Sequence, residues 1–341
     1  MGSTATGQAH ARVAGLLATG LADLTHDVGV LDAGGLWFVV GTFEGRWTCA
    51  RFDRVDRSPP PPSTATWPSV PGSAWSSSLT RAEYVRAVGE VRRLIADGEV
   101  YQVNLCRVLS TPLAASADLD GLDARLSSGN PAPYAARLHL PEAGIDLVSA
   151  SPELFLRRRE EVLSSSPIKG TGRIAEDLTG KDVAENVMIV DLVRNDLGRV
   201  CQTGSVTVED VLSVQAYPGL VHLVSTVRGR LAPGTSWAEI LDATFPPGSV
   251  SGAPKSSALR TIRGLEPTTR GPYCGAIGWV DADRRHAELA VGIRTFWRQH
   301  DRLHFGTGAG ITWGSDAGRE WQETELKAAR LLGLASEEGA R

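Results

Sequence analysis

Residues 279–297, WVDADRRHAELAVGIRTFW, set two runs of branched and aromatic residues on either side of a polar turn. Such runs predict two strands folding back on one another, which favours antiparallel pairing over repeated strand–helix–strand crossovers. Further strand-like runs cover 36–43, 145–150, 220–227, 275–280, 287–297 and 303–307, and they alternate with helical patterns over 183–195, 237–243, 256–262 and 319–332. The expected class is α+β.

Punctuation divides the chain. After the first strand-like run, Ser58-Pro59-Pro60-Pro61-Pro62 and the Ser/Pro/Trp-rich segment up to Ser78 disfavour regular structure. At Thr80 the pattern changes: Thr80 and Glu83 form a capping box, Tyr84, Val88, Val91 and Ile95 form an apolar stripe, and Gly98 ends the helix. The expected organisation is a short strand-containing region with a linker over 1–78 and one compact unit over 79–335.

Composition removes several function classes. With a net charge of −4 and no basic run interleaved with aromatics, nucleic acid is not an expected partner. Apolar runs are too short to span a bilayer, and Arg12 alone is a poor start for a signal peptide, so a cytoplasmic protein without a membrane partner is expected. Cys49, Cys106, Cys201 and Cys274 are scattered, with no metal-site spacing, and are expected to be reduced, buried thiols. Of the 35 basic residues only Lys169, Lys181, Lys255 and Lys327 are lysines. Unlike arginine, a lysine can be driven neutral by burial and then act as base or nucleophile, so Lys169, in the Pro/Gly-shaped SSPIKGTGR, invites a chemical explanation.

The remaining candidates form a pattern. Glu320, Glu323 and Lys327 share one helical stripe, with Leu326, Ala329, Leu331 and Leu332 expected to supply apolar packing on other faces. Asp182 and Glu185 form a second acidic pair at the start of another helix; if the two faces converge they suit Mg2+, and if not they are surface ion pairs. GTGAGITWG, residues 306–314, lacks a dinucleotide fingerprint, but Gly308 and Gly310 allow close approach of a ligand or of another strand. FPPGSVSGAPK, residues 245–255, has the form of an anion seat ahead of a helix, or of a simple helix-entry turn. Arg294, in strand-like VGIRTF, calls for an anionic partner, while Glu153 and His222 are polar residues beside buried strands. Together these groups suit a small, multiply anionic substrate.

The blocks GEVYQVNLCR, SASPELFLR, PIKGTGR, AENVMIVDLVRNDLGRV, HLVSTVRGRL, TFPPGSVSGAPK, GPYCGAIGWV, AVGIRTF and GTGAGITWGSDAGREWQETELKA occur in the order found in the chorismate-utilising enzymes, and residues 80–333 resemble that family. The resemblance implies layered antiparallel sheets with outer helices. It implies Mg2+ on Glu185 and Glu323, supported by Asp182 and Glu320, and holding the ring carboxylate of chorismate. Tyr273, Arg294, the amides around Gly308 and Gly310, and Lys327 match positions that hold the enolpyruvyl carboxylate; Gln102, Thr171 and Gly252 lie in matching substrate-binding blocks. Glu153 matches the general acid and His222 a site histidine. Gln102 stands where water-activating members carry lysine. Lys169 stands where anthranilate synthases carry alanine and aminodeoxychorismate synthases carry their nucleophilic lysine. The resemblance therefore implies an aminodeoxychorismate synthase component I, with anthranilate synthase component I, and more distantly an inactive regulatory subunit, as alternatives. It also implies a separate glutamine amidotransferase supplying ammonia and a product of 4-amino-4-deoxychorismate.

Overall fold

The computed structural model describes residues 7–57, 65–172, 174–178, 180–217 and 220–336, and the side chains of Thr171, Lys181, Asp182, Ala216, Tyr217 and Leu220 lie outside that description. Eighteen strands among the described residues join in one antiparallel network. From Gln102–Pro112 the pairings pass through Arg302–Ile311, Thr295–Gln299, Ile145–Ser151, Tyr134–Leu140, His10–Val13, Leu16–Thr25 and Trp47–Asp56. They continue through Leu36–Gly41, Ala276–Asp281, His286–Val291, Leu154–Arg159 and Val162–Ser166 to Leu220–Arg230. The last strand also pairs with Ile168–Gly172 and Thr207–Tyr217. This sheet curls until its ends face one another: a β-carbon on Gly310, at one end, would lie 3.5 Å from Nζ of Lys169, at the other. The strands before Thr80 belong to the same network, since Leu36–Gly41 pairs with Ala276–Asp281.

The hairpin of residues 279–297 forms as expected, with Trp279 opposite Glu288, but its second strand is not continuous to Trp297. It ends at Val291 and resumes at Thr295 against different neighbours. The break falls at Arg294, whose φ of 54° is rare for a residue with a side chain. Arg294 is thus outside a strand, and the kink lets one apolar run serve two places in the sheet. The glycine-rich segment is also resolved: Gly306, Gly308 and Gly310 lie inside the Arg302–Ile311 strand, opposite Val108, Cys106 and Asn104.

Helices cover the sheet. The Arg81–Ala96 helix has its capping box, with Thr80 N donating to Glu83 at 2.8 Å, and buries Tyr84, Val88 and Val91. The Ala317–Ala335 helix buries Trp321, Thr324, Ala328, Leu331 and Ala335; Leu326, expected to pack, is 63% exposed because it lies off that stripe. The Gly180–Gly198 helix buries Ile189, Val190, Val193 and Leu197. It is pinned to the end of the sheet by Asn186, whose Nδ2 donates to the Leu223 carbonyl at 3.1 Å while Oδ1 accepts from Ser225 at 2.6 Å. That anchor sits next to Glu185. All four cysteines are buried and free.

Candidate active site

Lys169 reaches the space between the sheet ends because its strand is irregular. Its register against Leu220–Arg230 shifts between Lys169 and Thr171, with Gly170 at a φ of 81°, a bulge that re-aims the neighbouring side chain. Nζ donates to the Ser249 carbonyl at 3.0 Å. Burial, aided by the nearby Lys327 charge, lowers the proton affinity of the amine, while Glu185, Glu153 and Glu323 pull the other way. On balance the neutral form is favoured relative to an ordinary lysine.

Glu153 is only 3% exposed, and its Oε1 makes no hydrogen bond. Burial raises its pKa, with Ser249, Lys169, the Ile168 backbone and Lys327 opposing, so the carboxyl keeps its proton to higher pH than a surface glutamate. His222, opposite Thr171, has its pKa lowered to about 4 by burial and by Arg294. Its ring is therefore neutral near pH 7. Arg294 Nη2 lies 3.3 Å from His222 Nε2, and because a guanidinium can only donate, Nε2 is the acceptor there.

Two helices bring carboxylates near Lys169 and Lys327. Glu323 Oε1 lies 2.6 Å from Lys327 Nζ, which also donates to the Gly308 carbonyl at 3.1 Å; Glu320 is buried. Burial would lower the proton affinity of Lys327, but Glu323, Glu185 and Glu320 outweigh it and raise it. Glu185 and Glu323 each act electrostatically on both Lys169 and Lys327. Among the described residues no three His, Cys, Asp or Glu side chains form a ready-made metal cluster. A pair of carboxylates that leaves the other positions to water and a substrate carboxylate nevertheless fits Mg2+, which seldom takes an all-protein cage.

Gln102 is wholly buried, and neither atom of its amide is hydrogen-bonded. It lies across Gly310 from Lys169: a β-carbon on Gly310 would come within 2.5 Å of Gln102 Nε2, so glycine keeps this space open. Tyr273 packs its ring over Gly306 and sets its hydroxyl 3.8 Å from Cys106 Sγ, beside Gly308. Gly252 has a backbone role, since a β-carbon there would stand 2.2 Å from the Gln102 carbonyl. Within residues 245–255 three carbonyls are engaged: Ser249 accepts from Lys169, Val250 from Arg270 and Ser251 from the Asn104 N–H. Ser249 is the residue that sequence reasoning missed, and its one signal was a serine inside a Pro/Gly-shaped loop. A larger cavity of about 680 Å³, bounded by Phe43, Trp47, Phe245 and Arg263, contains none of the expected site residues.

Residues 44–333 match the family model of chorismate binding enzymes. The chain belongs to that family. It is 41% identical over 277 residues to anthranilate synthase component 1 1 of Haloarcula marismortui, an alignment covering 78% of this chain and 56% of that protein. It is 38% identical over 274 residues to aminodeoxychorismate synthase component 1 of Salmonella typhimurium, covering 76% of this chain and 59% of that one. The chain thus spans little more than half the length of these relatives. Among solved structures, a 2,3-dihydroxybenzoate-specific isochorismate synthase, DhbC, from Bacillus anthracis superposes with a TM-score of 0.80 at 25% identity, covering 97% of both chains. Anthranilate synthase component I from Streptococcus pneumoniae gives 0.74 at 26% identity, covering 88% of this chain and 80% of that one. The chain thus has the α+β fold of that family. Among its described residues no helix is long and apolar enough to cross a membrane.

Proposed function

We propose that this chain is an aminodeoxychorismate synthase component I, replacing the ring hydroxyl at carbon 4 of chorismate by an amine. The observation that carries this reading is Lys169, a lysine biased towards its neutral form and held by a carbonyl at 3.0 Å, in the same site as Glu153, whose carboxyl burial biases towards its protonated form. The neutral amine attacks ring carbon 2 as both ring double bonds shift, to C1=C6 and C4=C5, and the carbon 4 hydroxyl leaves as water, taking its proton from Glu153. Ammonia then adds at carbon 4, both double bonds return to their places, and the Lys169 amine is expelled from carbon 2. Glu185 and Glu323 would hold Mg2+, with Asp182 and Glu320 supporting, and the ion would supply a positive site for the ring carboxylate. Arg294, Tyr273, Lys327 and the backbone at Gly308 and Gly310 would hold the enolpyruvyl carboxylate; Gln102, Thr171 and Gly252 would bound the ring, and neutral His222 would flank it.

With all four cysteines buried, this reading gives glutamine hydrolysis to a separate amidotransferase subunit, with free ammonia as a poorer substitute. A second reading, anthranilate synthase component I, is favoured by the relatives of that name at comparable identity. Product analysis separates the two. Chorismate, Mg2+ and concentrated ammonium at alkaline pH are expected to give 4-amino-4-deoxychorismate, and Lys169→Ala is expected to lose it. Anthranilate or isochorismate from the unaltered protein would refute the assignment.

A further inference from the structure

Ser249 touches both reactive groups. Its carbonyl accepts from Lys169 Nζ at 3.0 Å. Its hydroxyl is buried, makes no hydrogen bond of good geometry, yet lies close enough to Glu153 to oppose the rise in its pKa, and it lines with Glu153 a cavity of about 20 Å³. Glu153 Oε1 is the other orphaned polar atom in that cavity wall. The Ser249 backbone cannot drift. Gly248–Val250 is a single 3-10 turn, Arg270 Nη1 donates to the Val250 carbonyl at 2.8 Å, Ser251 Oγ donates to Pro247 at 2.9 Å, and Leu192 of the Gly180–Gly198 helix abuts Gly248. Arg270 is itself locked by Glu266 at 2.6 Å. The charges facing Glu153 are Lys169 from the sheet and Lys327 from the C-terminal helix, while Asp196, on the same cavity wall, is tied to Lys255 at 2.8 Å.

We propose that Ser249 is a positioning residue of this site, fixing Lys169 through its carbonyl and Glu153 through its hydroxyl, so that one rigid residue sets the acid relative to the amine. A hydroxyl needs only to turn about its own side-chain torsion to donate to Glu153. The bond becomes charge-assisted when the acid has given up its proton, so it strengthens as the leaving hydroxyl departs. This inference rests on the reading of Glu153 as general acid.

Ser249→Ala removes the hydroxyl and keeps the carbonyl. We expect kcat to fall about 10-fold or more, as for loss of a hydrogen bond to a charged group, with KM for chorismate unchanged. The Glu153-linked limb of the pH–rate profile moves to higher pH while the Lys169-linked limb stays in place, and Ser249→Thr restores both rate and profile. A merely structural serine would leave both limbs in place, and that outcome, or a wild-type rate, would overturn the proposal. Glu153→Gln run alongside keeps the two failures apart. If it abolishes turnover while Ser249→Ala behaves as wild type, the acid assignment stands and the Ser249 role falls; if it retains full turnover, the acid assignment itself falls.

Discussion

Two buried polar regions of this molecule are built on opposite terms. Around Arg137, which is 2% exposed, Nε donates to Asp120 at 2.6 Å, Nη1 to Asp146 at 2.7 Å and to the Leu138 carbonyl at 2.8 Å, while His10 and His139 complete the carboxylates. Between the sheet ends, by contrast, the Gln102 amide, Glu153 Oε1 and the Ser249 hydroxyl are buried with no hydrogen bond from the protein. Leaving such groups unpaired costs about 1–3 kcal/mol each, so a fold retains them where a ligand completes them. The Arg137 region holds the structure together, and on the proposed reading the Lys169 region binds substrate.

The widest separation between the regions is expected from Lys169→Ala, which should abolish amination, read by mass analysis of products, and leave thermal stability close to that of the parent. Glu153→Gln should lower kcat by about 10²–10⁴-fold at unchanged stability. Arg137→Met should do the reverse. Removing one member of a buried ion network costs about 3–5 kcal/mol in denaturant unfolding, while turnover per folded molecule is kept. Gln102→Leu sharpens the contrast further: deleting an unpaired buried amide should raise stability by about 1 kcal/mol while weakening chorismate turnover. At the small end, breaking the exposed Arg93–Asp97 pair by Arg93→Ala should leave the denaturant midpoint unchanged within error.

Acidity separates the regions as well. Burial would raise the Asp120 carboxyl, but His10 and Arg137 overcome it and hold it well below the ordinary carboxylate range; Asp146 is lowered by His139 and Arg137 against the same opposition. Their folded-state values lie below the unfolded ones, so their contribution is complete above an unfolded pKa of about 3.9 and is lost as pH falls through the folded values. At the site the shifts run the other way. On the proposed mechanism activity requires neutral Lys169 and protonated Glu153, so it should fall on both sides of an optimum, and Glu153→Gln should remove the limb that belongs to the acid.

Much of this was legible before any coordinates. The apolar runs around a polar turn predicted antiparallel pairing, the Thr80 capping box marked a helix start, and the spacing of Glu320, Glu323 and Lys327 placed them on one face. Local pattern could not reveal that a long sheet curls end to end, because that closure depends on pairings between strands far apart in the chain. It also could not place the break at Arg294, where an unbroken apolar run gives no sign of a backbone turned to positive φ. Ser249 was hidden for a related reason: its part is played by a carbonyl, which every residue carries, and by a hydroxyl whose neighbour Glu153 is almost a hundred positions away.

The most direct test of Lys169 as nucleophile is the intact mass of the protein after incubation with chorismate and Mg2+ in the absence of ammonia, followed by peptide mapping. The account predicts a species heavier by one chorismate less one water, with the added mass on the peptide containing Lys169, absent from Lys169→Ala and discharged by ammonium as 4-amino-4-deoxychorismate. Full amination by a Lys169→Ala protein that never carries the adduct would contradict it.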